Sequence, residues 1–142
     1  LYGPKDNFNP KSSHVIASLI KKFYDAKINK KRHVVVWGTG EATRDFIYVD
    51  DAAEGMILAA EKYNKSDPVN LASGKEKKIK EIALMIKNNI GFKGQIIWDS
   101  KMPTGPKRRV VSIGKAKKEF AFKIKTSMKA GIKKTINWYT SK

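Results

Sequence analysis

Arg44-Asp45-Phe46-Ile47-Tyr48-Val49-Asp50-Asp51 is the stretch whose reading decides the fold. Phe46 to Val49 is an unbroken β-branched and aromatic run, which predicts a short strand. Asp50 then supplies an N-cap, and Ala53, Met56, Ile57 and Ala60 recur at helical spacing, predicting a helix over about 51–63 with those residues on one face. A strand running straight into a capped helix is the unit of an α/β fold. The same alternation continues outward. Upstream, Val34-Val35-Val36-Trp37 reads as a strand turned by Gly38-Thr39-Gly40. Before it, Val15, Ile16, Leu19, Ile20 and Phe23 predict a helix over about 13–28, capped by Ser12 or Ser13. Residues 1–11, with Pro4 and Pro10, read as loop. Downstream, Asp67-Pro68 closes the second helix and Val69-Asn70-Leu71-Ala72 predicts a buried strand. Ile79, Ile82, Ala83, Met85 and Ile86 predict a helix ending near Gly91, and Gln95 to Trp98 a further strand. A loop over 99–109 ends in three cations, Lys115 to Phe120 makes one or two helical turns, and Ser127 to Tyr139 forms a last helix.

The chain of 142 residues is 41% hydrophobic, enough to fill the core of one domain. It has no cysteine and only two histidines, His14 and His33, which excludes disulfides and thiolate metal sites. No run approaches the length of a membrane span. The opening Leu1-Tyr2-Gly3-Pro4 lacks the pattern of a secretory leader and has no initiating Met, so a natural start further upstream is expected. These features fit a cytoplasmic protein that spans no membrane. The net charge of +17 asks for an anionic partner. Arginine stands only at 32, 44, 108 and 109, and the other 26 of the 30 basic residues are lysines scattered along every segment, as on a solvated surface. A small basic nucleic-acid-binding protein remains one alternative, but no RNA-recognition motif, helix-turn-helix signature or basic-aromatic stripe supports specific nucleic-acid recognition. No G-x-G-x-x-G opens a strand-to-helix turn, so the dinucleotide fingerprint is missing.

Several segments in order resemble the C-terminal half of extended short-chain dehydrogenases, and in particular the GDP-L-fucose synthase family of GDP-4-keto-6-deoxy-mannose epimerase/reductases. They are Leu1 to Pro4 with Asp6-Asn7-Phe8, Ser13 to Ile16, Val34 to Gly40, Arg44 to Asp51, Val69 to Gly74, Gly91 to Gly94 and Ile136 to Tyr139. The Arg44 to Asp51 type of segment is shared by many sugar-nucleotide epimerases and dehydratases, whereas Ser13 to Ile16 and Val34 to Gly38 point more narrowly. The resemblance implies one region over 1–142: the substrate-binding C-terminal part of an NAD(P)-dependent epimerase fold. An N-terminal Rossmann domain binding most of the NADP(H) would lie outside it. The Tyr-x-x-x-Lys pair of the redox step precedes Leu1 in the family, so this region alone is expected to be inactive. A related epimerase or dehydratase acting on another NDP-sugar is a second alternative. In the family, Val69 to Ala72 returns to the edge of the Rossmann sheet. Without that sheet the strand lacks partners, which predicts self-association, as a homodimer, or displacement of the strand.

The resemblance also implies the site. Leu1 matches the end of a segment touching the nicotinamide. His14 matches a histidine beside the cofactor proposed as the acid of epimerisation, a proton transfer that suits a group titrating near neutrality. Lys22 stands where the family usually carries an arginine on the GDP-sugar, and lysine cannot grip a phosphate bidentately. Trp37 matches a tryptophan of the substrate pocket and could stack on the sugar. Arg44 matches the arginine of the substrate diphosphate, for which a planar guanidinium is suited. Arg108 and Arg109 end the loop resembling a second phosphate-side contact. Thr104 and Gln95 depart from the family's usual residues there, which loosens the expectation of guanine relative to other NDP-sugars. Core packing for Trp37, a salt bridge to Asp50 or Asp51 for Arg44, and solvation for Lys22 are the structural alternatives.

Overall fold

A computed structural model describes residues 1–102 and 105–141. Thr104 and Pro103, which bear on the expectation for the phosphate-side loop, lie outside the described residues. The elements are α1 (Val15–Ile28), β1 (His33–Trp37), β2 (Thr43–Asp45), α2 (Val49–Lys62), β3 (Glu76–Lys78), α3 (Ile79–Ile90), β4 (Gln95–Asp99), β5 (Arg108–Arg109), α4 (Gly114–Phe120) and α5 (Met128–Thr140). The alternation is the expected α/β pattern, divided between two small sheets. β1 and β4 pair in parallel, with Val34 opposite Ile96 and Val36 opposite Trp98. β2 lies between β3, antiparallel to it, and β5, parallel to it.

Two cores follow from these pairings. In the larger, Val34 and Val36 alternate inward from β1 against Ile16, Ile20 and Phe23 of α1 and Ile82 and Ile86 of α3. A fully buried Ile or Phe of this kind stabilises by about 1.5–3 kcal/mol. α3 is closed at both ends: the Glu81 carboxylate accepts the Lys78 N–H at 2.9 Å, and Gly91 takes φ 75° while Lys27 Nζ donates to Ile90 O at 2.7 Å. The smaller core gathers Ile47, Ala52, Ala116, Phe120 and Phe122 between α2 and α4.

Three expectations are corrected here. Phe46 to Val49 is not a strand. Ile47 faces the smaller core and Tyr48 the larger, and only Tyr48 makes a bridge, to Tyr2, with Tyr2 N donating to Ile47 O at 3.1 Å and Val49 N to Tyr2 O at 2.9 Å. Ile47 and Tyr48 alternate to opposite sides as strand residues do, but helix α2 begins at Val49 and leaves too short a run for a ladder. Helix α2 starts earlier, at N-cap Tyr48, leaving Asp50 and Asp51 inside its first turn. Its buried residues are Asp51, Ala52 and Gly55, whereas the face formed by Ala53, Met56, Ile57 and Ala60 is largely exposed. Gly55 decides the orientation, because a Cβ there would press on Leu71 and Phe122. Finally, Val69 to Ala72 forms no strand. Leu71 and Val69 pack on the smaller core instead.

Candidate functional site

The Arg44 to Asp51 segment positions the site through two of its three acids, Asp45 and Asp51. Asp45 Oδ1 accepts the Ser73 N–H at 2.8 Å and its hydroxyl at 2.6 Å, and Oδ2 accepts the Gly74 N–H at 2.8 Å. Asp51, 3% exposed, accepts from Lys125 N and Thr126 N. Both carboxylates therefore pin distant backbone to the segment that carries Arg44, as charge-assisted hydrogen bonds can.

A cleft of about 380 Å³ opens between α1, the Gly38-Thr39-Gly40 turn and β2. It brings Lys22, Trp37 and Arg44 to one surface. Trp37 is 58% exposed, so the core reading of this tryptophan does not hold. Lys22 Nζ sits 5.7 Å from the centre of its ring and donates to Val35 O at 3.1 Å. Burial pushes the Lys22 ammonium below the usual lysine range. Arg44 Nη1 donates to Thr43 O at 2.7 Å and Pro106 O at 2.8 Å, which fixes the guanidinium and ties the 105–107 segment to β2. The turn is glycine-dependent: Gly40 has φ 77°, and a Cβ there would meet the Trp98 ring at 2.7 Å.

The remaining expected residues are distributed around this cleft. His14 is the N-cap of α1, exposed, and does not line the cleft, although its neighbours Ser13 and Val15 do. Arg109 stands beside Arg44 in the register of β5 on β2, and the two share a second depression of about 240 Å³ with Leu1. Arg108 turns to Glu76, its Nε 2.8 Å from Oε1. That carboxylate also accepts from Thr43 Oγ1 at 2.5 Å, and Arg108 and Thr43 together hold it below the usual range. Lys11, Ser13, Ser18 and Thr39 line the cleft and were not singled out from the sequence. Ser13 Oγ is buried without a hydrogen-bond partner, so it has a donor to spare. The signal for these residues was weak: two serines at a helix start read as caps, and Gly38-Thr39-Gly40 read only as a turn. Among the described residues no cluster of His, Cys, Asp or Glu could hold a metal ion, and no helix is long and apolar enough to cross a membrane.

This mixed α/β arrangement is shared with solved structures of NAD(P)-dependent epimerases and reductases. A GDP-L-fucose synthetase of Naegleria fowleri bound to NADP superposes with a TM-score of 0.92 at 31% identity, over 99% of this chain and 44% of that one. Residues 1–72 match the NAD dependent epimerase/dehydratase family, and the chain belongs to it. It is 42% identical over 139 residues to the Probable GDP-L-fucose synthase 1 of Oryza sativa subsp. japonica, covering 98% of this chain and 42% of that protein. It is 34% identical over 148 residues to the GDP-L-fucose synthase of Escherichia coli, covering 98% and 46% respectively. The chain thus spans less than half the length of the curated relatives it matches.

Proposed function

We propose that this chain is the substrate-side region of an NADP-dependent epimerase/reductase that acts on a GDP-linked keto sugar. The single observation that carries this reading is the convergence of Lys22, Trp37 and Arg44 on one cleft. Arg44 and Lys22 would hold the diphosphate, and Trp37, with the Lys22 ammonium over its ring, would lie against the sugar. A phosphate beside Lys22 would favour the charged form that burial disfavours. Ser13 would donate to a sugar hydroxyl. His14, at the rim, would hold or release the proton next to the ketone, with Leu1 and Arg109 lining the adjoining depression on the cofactor side. Arg108, engaged by Glu76, would act by positioning β5. NADP, when bound, supplies hydride to the ketone carbon.

A dinucleotide-binding region would complete the enzyme. The exposed Met56 and Ile57, each more than half accessible on α2, form an apolar face suited to pack against its sheet. The Tyr-x-x-x-Lys pattern of the redox step does not occur within these residues, so the chain alone should bind GDP-sugar without turning it over. The test is isothermal titration with GDP against the chain, Arg44→Gln and Lys22→Gln. The expected result is binding weakened about tenfold or more in each variant. Unchanged affinity in Arg44→Gln, with the fold intact by circular dichroism, would refute the assignment of the cleft.

A further inference from the structure

A second cavity, of about 540 Å³, lies away from the cleft and takes no part in the proposed reaction. Two walls face each other across it. One carries Lys75 and Lys77 and follows the turn that Asp45 pins at Ser73 and Gly74. The other carries Lys125 and Lys129 at the start of α5, and Asp51 pins it at Lys125 and Thr126. Lys77 reaches Glu81 at 3.5 Å and Lys125 pairs with Glu54. Lys75 and Lys129 are exposed, and among the described residues neither has an acidic partner. The oxygens of Asp45 and Asp51 accept from backbone N–H groups of the walls. The apolar floor includes the partly buried Phe46, Ile124 and Met128. Lys77 and Lys125 are each balanced by a carboxylate, so Lys75 and Lys129 leave positive charge on both walls, which an anion placed between them would offset.

We propose that this cavity is an oligophosphate site for a nucleotide, separate from the sugar-nucleotide cleft, with phosphates between the two lysine pairs and the base against Phe46, Ile124 and Met128. The size suits such a ligand, since small-molecule sites occupy about 300–1,000 Å³. The apolar floor distinguishes it from the solvated lysines elsewhere, which offer charge without a surface for a ring. The proposal stands independently of the reading of the cleft.

The experiment titrates pyrophosphate and ADP into the chain and follows amide shifts by NMR, alongside Lys75→Gln, Lys129→Gln, the double variant and Arg44→Gln. Both substituted lysines are exposed and lack acidic partners, so the fold should persist. Shifts at 73–77 and 124–129 are expected for both probes, with ADP also moving Phe46. Affinity measured at these amides should fall roughly tenfold in each single lysine variant, be kept in Lys75→Arg, and be unaffected by Arg44→Gln. Shifts confined to the cleft, or equal affinity in the double variant, would overturn the proposal. Pyrophosphate binding with no advantage for ADP would overturn its nucleotide part.

Discussion

Replacing Asp51 by alanine should be among the most damaging single changes in the chain, although the residue carries no proposed chemistry. The carboxylate is 3% exposed. Its Oδ1 accepts from Lys125 N at 3.2 Å, and Oδ2 from Thr126 N at 3.1 Å, with the Thr126 hydroxyl at 3.4 Å from Oδ1. Alanine leaves two partly buried backbone donors without an acceptor, at about 1–3 kcal/mol each. It also opens the junction between α2 and the start of α5. The total is about 2–6 kcal/mol, a large share of the roughly 5–15 kcal/mol by which a domain is stable. Asparagine keeps one acceptor oxygen and should cost about 1–2 kcal/mol, because its nitrogen cannot replace Oδ2 opposite an N–H. Urea denaturation of the two variants measures both numbers. If alanine costs less than about 1 kcal/mol, or no more than asparagine, the carboxylate is not what fastens α5 to α2. The alanine variant should also loosen the wall bearing Lys125 and weaken pyrophosphate binding in the second cavity.

Gly131→Ala should lose about 1–3 kcal/mol in the same assay, since the new Cβ would collide with the buried Tyr2 hydroxyl and lie 2.9 Å from Tyr48 Cδ2. Glu41 is held at about 2 by Lys78 and Lys80. Its contribution to stability is therefore present above the ordinary value of 4.5 and fades as pH falls toward 2. Glu41→Gln should flatten the dependence of stability on pH across that window and leave the region above it without slope change, as read by denaturation at stepped pH. Met56→Glu with Ile57→Glu should leave the chain's own melting temperature within a degree or two, both side chains being exposed. The same pair should abolish assembly with a dinucleotide-binding region in size-exclusion chromatography.

What could be read in the sequence was whatever burial writes into spacing. α1, α3 and α5 announce themselves because each buries one stripe against the larger core, and β1 because Val34 and Val36 alternate into it. β2, β3 and β5 are Thr-Arg-Asp, Glu-Lys-Lys and Arg-Arg. They bury no face, so no alternation of apolar residues marks them. Their pairing is supported by cross-strand polar contacts, Glu76 to Arg108 and to Thr43. The orientation of α2 is not legible for the converse reason: its apolar residues at helical spacing are the exposed ones, and a glycine and two small or acidic residues face inward. Helical spacing identifies a stripe but not what the stripe meets. Arg44, Lys22 and Trp37 were legible as a group through the resemblance, yet their convergence depends on β2, which the sequence did not reveal.

That dependence bears on how loss of function at Arg44 should be interpreted. Arg44 lines the cleft and also ties Pro106 to β2, in the strand whose neighbour carries Arg109. A glutamine there removes a permanent positive charge and loosens β5 together, so weaker GDP binding alone would not separate contact from support. Arg44→Lys separates them. Lysine keeps the charge but cannot span two carbonyls with a planar fork while facing a diphosphate. Both variants lose the tie and should move the amides at 105–109 alike, so if the guanidinium touches the phosphates, Arg44→Lys should bind GDP more tightly than Arg44→Gln while recovering only part of the affinity. If Arg44 serves only as a tie, the lysine variant should bind no better than glutamine, and the diphosphate contact would then pass to Lys22.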